Sequence, residues 1–470
     1  MSKVFITTSI PYVNAEPHIG FAMELAQGDA LARYYRAKLG EDQVFFLNGT
    51  DEHGSKIDKK AKETGIEPQK FVDRITQKFI DLGKALNISN DDFVRTTSDR
   101  HKKSATDLWR RCQKDIYKKN YKGLYCSGCE EFKTEKELVD GLCPVHRTKP
   151  EPVEEENYFF ALSKYAPKLR ELIESDELKI TPELRKNEVL GWLREGVQDI
   201  SVSREKLKLS WGIPVPGDPD QVMYVWVDAL SNYITGAGFP DSHEKWWNEE
   251  TLKIHVVGKD ILRFHAIIWP GLLLSAGLPL PNIIYAHGHI TSDNQKMSKS
   301  LGNVIDPFSL IQKYGADAVR YYLLAKIPWD DDGDFSSDKF QAVYKGELSD
   351  NWGNLLNRLV VLGGKSKSQI SDLKSQNIGS NPELAGFRFN NFIEKQITEL
   401  ARINREINET EPWKLITSEP DKAKKIIEKW LQDYYQISQE LSFVAPRSFE
   451  KVEKAYSTGQ AVQLFPRVEW

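Results

Sequence analysis

The first 47 residues restrict the fold more than any other stretch of the chain. Val4 to Ile10 is an apolar, β-branched run, the pattern of a buried strand. Pro11 to Pro17 reads as a turn. His18 to Leu39 has helical periodicity and stops at Gly40, a C-terminal cap signal. Gln43 to Leu47 is a second strand, and the loop Asn48 to Gly54 follows it. Strand, helix and strand at this spacing predict a parallel, doubly wound α/β sheet. Ligands of such sheets bind at the carboxyl ends of the strands, so Ser9–His18 and Asp51–His53 are expected at the mouth.

Strand patterns return at Leu252 to Gly258 and Asn282 to Ile290. The segment between the two halves, about 110 to 222, reads as an insertion with charged helices. Beyond Phe308 the pattern is almost wholly helical. Ser349 to Leu362, Phe392 to Asn408 and Lys422 to Ser442 are amphipathic and predict a bundle. Gly363 to Pro382, polar and Ser/Lys/Asn-rich, predicts a long interhelical loop. At 470 residues the chain is too long for one core, and roughly three domains is the prior. Ala266 to Leu280, the longest apolar stretch, is broken by Pro270, Gly271 and Gly277 and predicts a buried helix and turn. No run reaches the ~18 apolar residues of a membrane span. The N-terminus has neither signal nor transit character, and four cysteines fit a reducing compartment, so a cytoplasmic protein is expected. A net charge of −4 requires any RNA contact to come from a local basic face.

Two short stretches carry phosphate chemistry. Pro17-His18-Ile19-Gly20 puts an imidazole at a helix start, where unpaired N–H groups and the dipole favour anions. Lys296-Met297-Ser298-Lys299-Ser300 puts two lysines three residues apart in a Ser- and Gly-containing loop. Together they predict a split site for a nucleoside triphosphate. Cys126-x-x-Cys129 and Cys143-x-x-His146, with 13 residues between the pairs, have the spacing of a tetrahedral Zn²⁺ site. Four protein ligands leave no open position, so that zinc is structural.

The ordered blocks Pro11 to Gly20, Gly49 to Gly54, Tyr224 to Ala229, Gly258 to Ile261 and Lys296 to Ser300 resemble the methionyl-tRNA synthetases, a family of class I aminoacyl-tRNA synthetases. The likeness covers nearly the whole chain, down to Leu464–Glu469. It implies a Rossmann-like catalytic domain with a zinc-knuckle insertion, followed by an α-helical bundle. The implied boundaries are 1–115 and 223–290 for the catalytic halves, 116–222 for the insertion, 291–345 for the lysine loop and linker, and 346–470 for the anticodon-binding domain. The implied activity is a ligase that joins L-methionine to tRNA(Met) through methionyl-adenylate, using ATP with Mg²⁺. A monomer is expected.

By the same resemblance, His18, Lys296 and Lys299 are catalytic. Gly20, Gly258, Asp260, His287 and Gly288 join them in binding ATP, with Asp260 on the ribose hydroxyls and Gly288 beside the adenine. The methionine site is Ile10, Tyr12, Asp51, Trp226, Ala229, Leu230, Tyr233, Ile261, His265 and Trp269. Asp51 receives the substrate ammonium, and the aromatic set suits a thioether. Asn354, Arg358 and Trp413 read the anticodon, by base-edge hydrogen bonds and stacking. Two positions depart from the family pattern: Phe21 stands where a second signature histidine is usual, with His53 or Lys56 as a substitute donor, and Leu230 replaces a common proline. The rival readings are a class I synthetase for another apolar amino acid and a catalytically inactive tRNA-binding paralogue.

Overall fold

A computed structural model describes residues 3–126, 128, 131–133, 135, 138–144, 147–207, 209–293, 295–297, 303–368 and 379–468, with the backbone alone at 131, 132 and 296. The chain divides into two compact units. The first comprises residues 1–16, 47–79 and 90–286, and the second 17–46, 80–89 and 287–470.

The first unit is built on a six-stranded sheet of β1 (Lys3–Thr8), β2 (Val44–Thr50), β3 (Asp92–Arg95), β4 (Lys179–Thr181), β5 (Thr251–Gly258) and β6 (Ile283–His287), in the order β3-β2-β1-β5-β6-β4. β1 runs parallel to β5, with Lys3 opposite Thr251 and Thr8 opposite Val256. β2 with β3, and β6 with β4, are parallel too. All of β5, and β1 after its first residue, is buried, as expected of central strands in a parallel sheet covered on both faces. The doubly wound prediction holds.

The insertion differs from its charged-helix reading. It contains helices Ala166–Glu174 and Glu183–Glu195, but its frame is antiparallel sheet. Ile116–Cys126 pairs with Glu151–Phe160 from Ile116 opposite Phe160 to Tyr125 opposite Glu151. That register sets Lys122 against Glu154, with an ion pair of 2.8 Å. The charge runs are thus cross-strand pairs on a solvated ribbon. The insertion also supplies β4 to the main sheet.

In the second unit the first helix spans Ile19–Leu39, with His18 as N-cap and Gly40 as C-cap, within one residue of expectation. Its Asp29 forms a fully buried pair of 2.7 Å with Arg320 of the Ala316–Lys326 helix. Arg320 also donates to the carbonyls of Val444 and Phe443, at 2.7 and 3.0 Å. Burial alone would raise the Asp29 carboxyl, yet Arg320 and Arg33 hold it below the usual range. The bundle helices are Asn354–Ser366, Phe389–Thr410, Pro420–Leu441 and Pro446–Thr458. Tyr344–Gly353, ahead of the first, is wound more loosely, as π-helix. Of the predicted loop, residues 369–378 lie outside the described residues.

Candidate functional site

In the first unit, the segment after β1 runs beside the end of β2. Asp51 N–H donates to the Pro11 carbonyl at 2.9 Å, and Val13 N–H to the Asp51 carbonyl at 3.1 Å. A β-carbon on Gly49 would lie 2.4 Å from the Val94 carbonyl oxygen and 2.8 Å from Ile10 Cγ2, so this approach requires glycine. Ile10, Tyr12 and Asp51 are thereby brought together, as expected.

The residues beside Asp51 are fixed from both sides. Glu52 is fully buried. Its carboxylate accepts from Thr50 Oγ1 (2.8 Å), Thr76 Oγ1 (2.6 Å), Arg95 Nε (2.7 Å) and Thr97 Oγ1. His53 donates from Nδ1 to Asp228 Oδ2 at 2.7 Å, and His101 Nε2 donates to Asp228 Oδ1 at 2.7 Å. Burial would raise the Asp228 carboxyl, but His53 and His101 outweigh it and hold it at about 2. Asp228 and His53 lie inside sequence blocks singled out above, yet Asp228 carried no role and His53 only that of a substitute donor. His101 gave no signal, because its partner is 127 residues away.

Of the expected aromatic set, Tyr233 and Trp269 gather around two neutral histidines. His265 Nδ1 donates to the Ile261 carbonyl at 2.9 Å, which leaves Nε2 to accept the Tyr233 hydroxyl at 2.6 Å. His255 Nε2 accepts the Trp269 indole N–H at 3.2 Å, so Nδ1 donates to Thr7 Oγ1 at 2.7 Å. Burial pushes His265 down to about 4 and His255 well below its ordinary value. The Tyr233 ring lies 4.2 Å from His255 and 5.9 Å from Trp269, centroid to centroid. Trp226 stacks on Phe264 at 3.7 Å. Ala229 and Leu230 are buried beside this set in sequence. Gly258 ends β5, and Asp260 follows it, exposed.

In the second unit His18 is exposed and caps the Ile19–Leu39 helix. Its Nδ1 accepts from Gly20 N–H at 3.1 Å, so the ring proton sits on Nε2, a donor suited to an anion. His287 turns its nitrogens to Glu24 Oε2 (2.9 Å) and the Gly288 carbonyl (2.8 Å). A β-carbon on Gly288 would meet the Asp331 carbonyl oxygen at 2.1 Å, so the chain's own backbone accounts for this glycine. Phe21 is buried, 8% exposed, and serves packing. Of its suggested substitutes, His53 is engaged with Asp228, and Lys56 lies over the Tyr12 ring at 5.8 Å. Lys299 lies outside the described residues, and only the backbone of Lys296 is described.

Of the predicted zinc ligands, Cys126 and Cys143 are buried, whereas Cys129 and His146 lie outside the described residues. Among the described residues no group of three or more His, Cys, Asp or Glu side chains could hold a metal. Arg358 donates to Asn404 Oδ1 (2.9 Å) and Asn408 Oδ1 (2.6 Å). Asn354, one turn earlier, is exposed, and Trp413 is 47% exposed, which removes the core reading of this tryptophan. Among the described residues no helix is long and apolar enough to cross a membrane.

The family described as tRNA synthetases class I (M) matches residues 4–149 and 134–360. A methionine–tRNA ligase of a Nostoc species is 47% identical over 75% of this chain and 67% of its own length. One from Fusobacterium nucleatum is 38% identical over 99% of this chain and 80% of its own. Among solved structures, Mycobacterium tuberculosis methionyl-tRNA synthetase in complex with methionyl-adenylate superimposes with a TM-score of 0.88 at 34% identity, covering 99% of this chain and 100% of that one.

Proposed function

The chain belongs to the class I tRNA synthetases of the methionine type, and on that premise we propose the following division of labour among its residues. The enzyme activates L-methionine with ATP and transfers the aminoacyl group from methionyl-adenylate to tRNA(Met). The methionine carboxylate attacks the α-phosphate and pyrophosphate leaves. Charge builds on phosphate oxygens, so positioning and donors suffice and no nucleophilic side chain is needed. His18 Nε2–H, Lys296 and Lys299 donate to the phosphates. Mg²⁺ accompanies ATP and offsets phosphate charge. Asp260 accepts from the ribose hydroxyls, and His287 shapes the Gly288 turn beside the adenine. Gly20 and Gly258 supply backbone close to the nucleotide.

Asp51 receives the methionine ammonium. The side chain lies among Ile10, Tyr12, Trp226, Ala229, Leu230, Tyr233, Ile261, His265 and Trp269. The observation that carries this reading is the Tyr233–His265–Ile261 relay. Its polar atoms satisfy one another, so an unbranched apolar side chain leaves none of them unpaired. ATP–pyrophosphate exchange with a panel of amino acids tests it. Methionine-dependent exchange is expected. Faster exchange with another apolar amino acid would favour the first rival, and none with any would favour an inactive paralogue.

Zinc is held by Cys126, Cys129, Cys143 and His146, a reading supported by the spacing of the two pairs and the burial of Cys126 and Cys143; one zinc per chain in a metal analysis is expected. Asn354, Arg358 and Trp413 read the anticodon, supported by the exposure of Trp413. The domains follow the boundaries expected above, and the enzyme works in the cytoplasm.

A further inference from the structure

Asp228, on the Val225–Leu230 helix, is an enclosed carboxylate near the expected ammonium site, 1% exposed. Both of its oxygens are spent on imidazole N–H groups that come from distant parts of the sequence. One is His101, on the Asp99–Cys112 helix; its Nδ1 lies 3.2 Å from Thr235 Oγ1. The other is His53, whose backbone N–H points at Asp51 Oδ1, 3.4 Å away. The chain Asp51–His53–Asp228–His101–Thr235 is thus centred on a carboxylate that stays ionised although it is buried. A structural core does not need this. A buried charge held by two imidazole rings costs desolvation, and an apolar trio would pack as well. What such a chain supplies is a fixed direction for the group at its open end.

We infer that Asp228 is a positioning residue for substrate binding: through the His53 ring it holds the 51–53 turn so that the Asp51 carboxylate meets the methionine ammonium. This rests on the assignment of Asp51 made above. The Glu52 clamp on Arg95, Thr50, Thr76 and Thr97 fixes the same turn from the opposite flank. Asp51 is therefore followed directly by two anchored residues, Glu52 and His53.

The test compares equilibrium binding of L-methionine with that of its desamino analogue, 4-(methylsulfanyl)butanoate, to the full-length enzyme. The ratio of the two affinities isolates the ammonium contact. Asp228→Asn sets an amide donor against one imidazole N–H. It should weaken methionine binding by roughly tenfold to a hundredfold and leave the analogue within about twofold, because the analogue never used the contact. Asp51→Asn should collapse the ratio as well. An unchanged ratio in Asp51→Asn defeats the ammonium assignment itself. A collapsed ratio in Asp51→Asn with an unchanged one in Asp228→Asn defeats only the positioning role. Equal weakening of both ligands in Asp228→Asn reduces Asp228 to a packing residue. If Asp228→Asn does not fold, His53 decides. His53→Ala should collapse the ratio, and His53→Asn, which keeps an N–H near the position of Nδ1, should retain most of it. Indistinguishable His53 variants would overturn the inference.

Discussion

His265 and His18 are both imidazoles assigned to one reaction, and their surroundings differ in almost every respect. His265 is 2% exposed, and its two nitrogens are committed to Ile261 and Tyr233 inside the fold. His18 stands exposed at a helix start, with Nδ1 engaged by the helix and its proton directed to Nε2. The first arrangement selects by shape. A thioether side chain gains apolar burial and sulfur–aromatic contact, and a polar competitor finds no partner. The second answers charge that exists only as the reaction proceeds, and it needs donors that can follow moving phosphate oxygens. The two lysines of the 296–300 loop belong to this second plan.

The comparison breaks most sharply at Lys299. Lys299→Ala should lower the rate of methionine activation on the order of a hundredfold to a thousandfold, as for loss of one oxyanion donor. The equilibrium affinity for methionine should move little, because the contact forms with the reacting phosphates. Parallel losses in rate and methionine affinity would mean that the two sets of residues are not divided in this way.

The buried histidines predict an acid weakness confined to the methionine side. An exposed histidine titrates near 6.5, and in the folded enzyme burial holds His265 at about 4. Between those values the unfolded chain binds a proton that the folded one refuses. Stability is therefore full above about pH 6.5 and is lost as pH falls toward 4, by an amount on the order of 3 kcal/mol. His255 acts in the same direction. The thermal midpoint of the wild type should fall through this window, and His265→Phe should flatten the fall. A flat wild-type profile would remove the neutral-histidine account.

What was legible in the sequence follows the same division. The parallel sheet could be read because β1 is a buried run of apolar and β-branched residues, and the Ile19–Leu39 helix because Gly40 ends it. The groups proposed for phosphate and methionine stand in short ordered blocks, which is why the sequence singles them out. The bracing behind them could not be read that way. Asp228 meets His53 and His101 across 175 and 127 residues, and His255 meets Thr7 across 248, so no local period marks them. The insertion was misread for a related reason. Lysine and glutamate runs fit an exposed helix as well as a two-stranded ribbon, and only the register of Lys122 opposite Glu154 decides.

A smaller change sharpens the shape-selecting half. Tyr233→Phe removes the proton that His265 Nε2 accepts and leaves that nitrogen buried without a partner. The loss should be about 1–3 kcal/mol, divided between stability and methionine affinity. The KM for ATP should not change, since the phosphate donors are untouched. Initial rates at varied methionine and ATP would show the split; a rise in both KM values would place Tyr233 outside the methionine set.

The comparison extends to two tryptophans of the helical bundle. Trp352 is fully buried and its indole N–H donates to Ser438 Oγ at 3.1 Å, so its work is packing. Trp413, on the short Pro412–Ser418 helix, is 47% exposed and offers a face to solvent. An exposed indole suits an unstacked base of an RNA loop, where one base–aromatic stack contributes about 1–3 kcal/mol. Trp413→Ala should depress tRNA charging through a raised KM for tRNA. It should leave tRNA-free pyrophosphate exchange at the wild-type rate, because methionine activation makes no use of this helix. Trp352→Ala should instead lower the thermal midpoint, as the cavity of a lost core tryptophan requires. If Trp413→Ala lowers the midpoint and slows exchange, its exposed face serves the fold and the anticodon reader lies elsewhere. If charging and exchange both stay at wild-type values, the stack does not form, and Asn354 and Arg358 are the residues to test next.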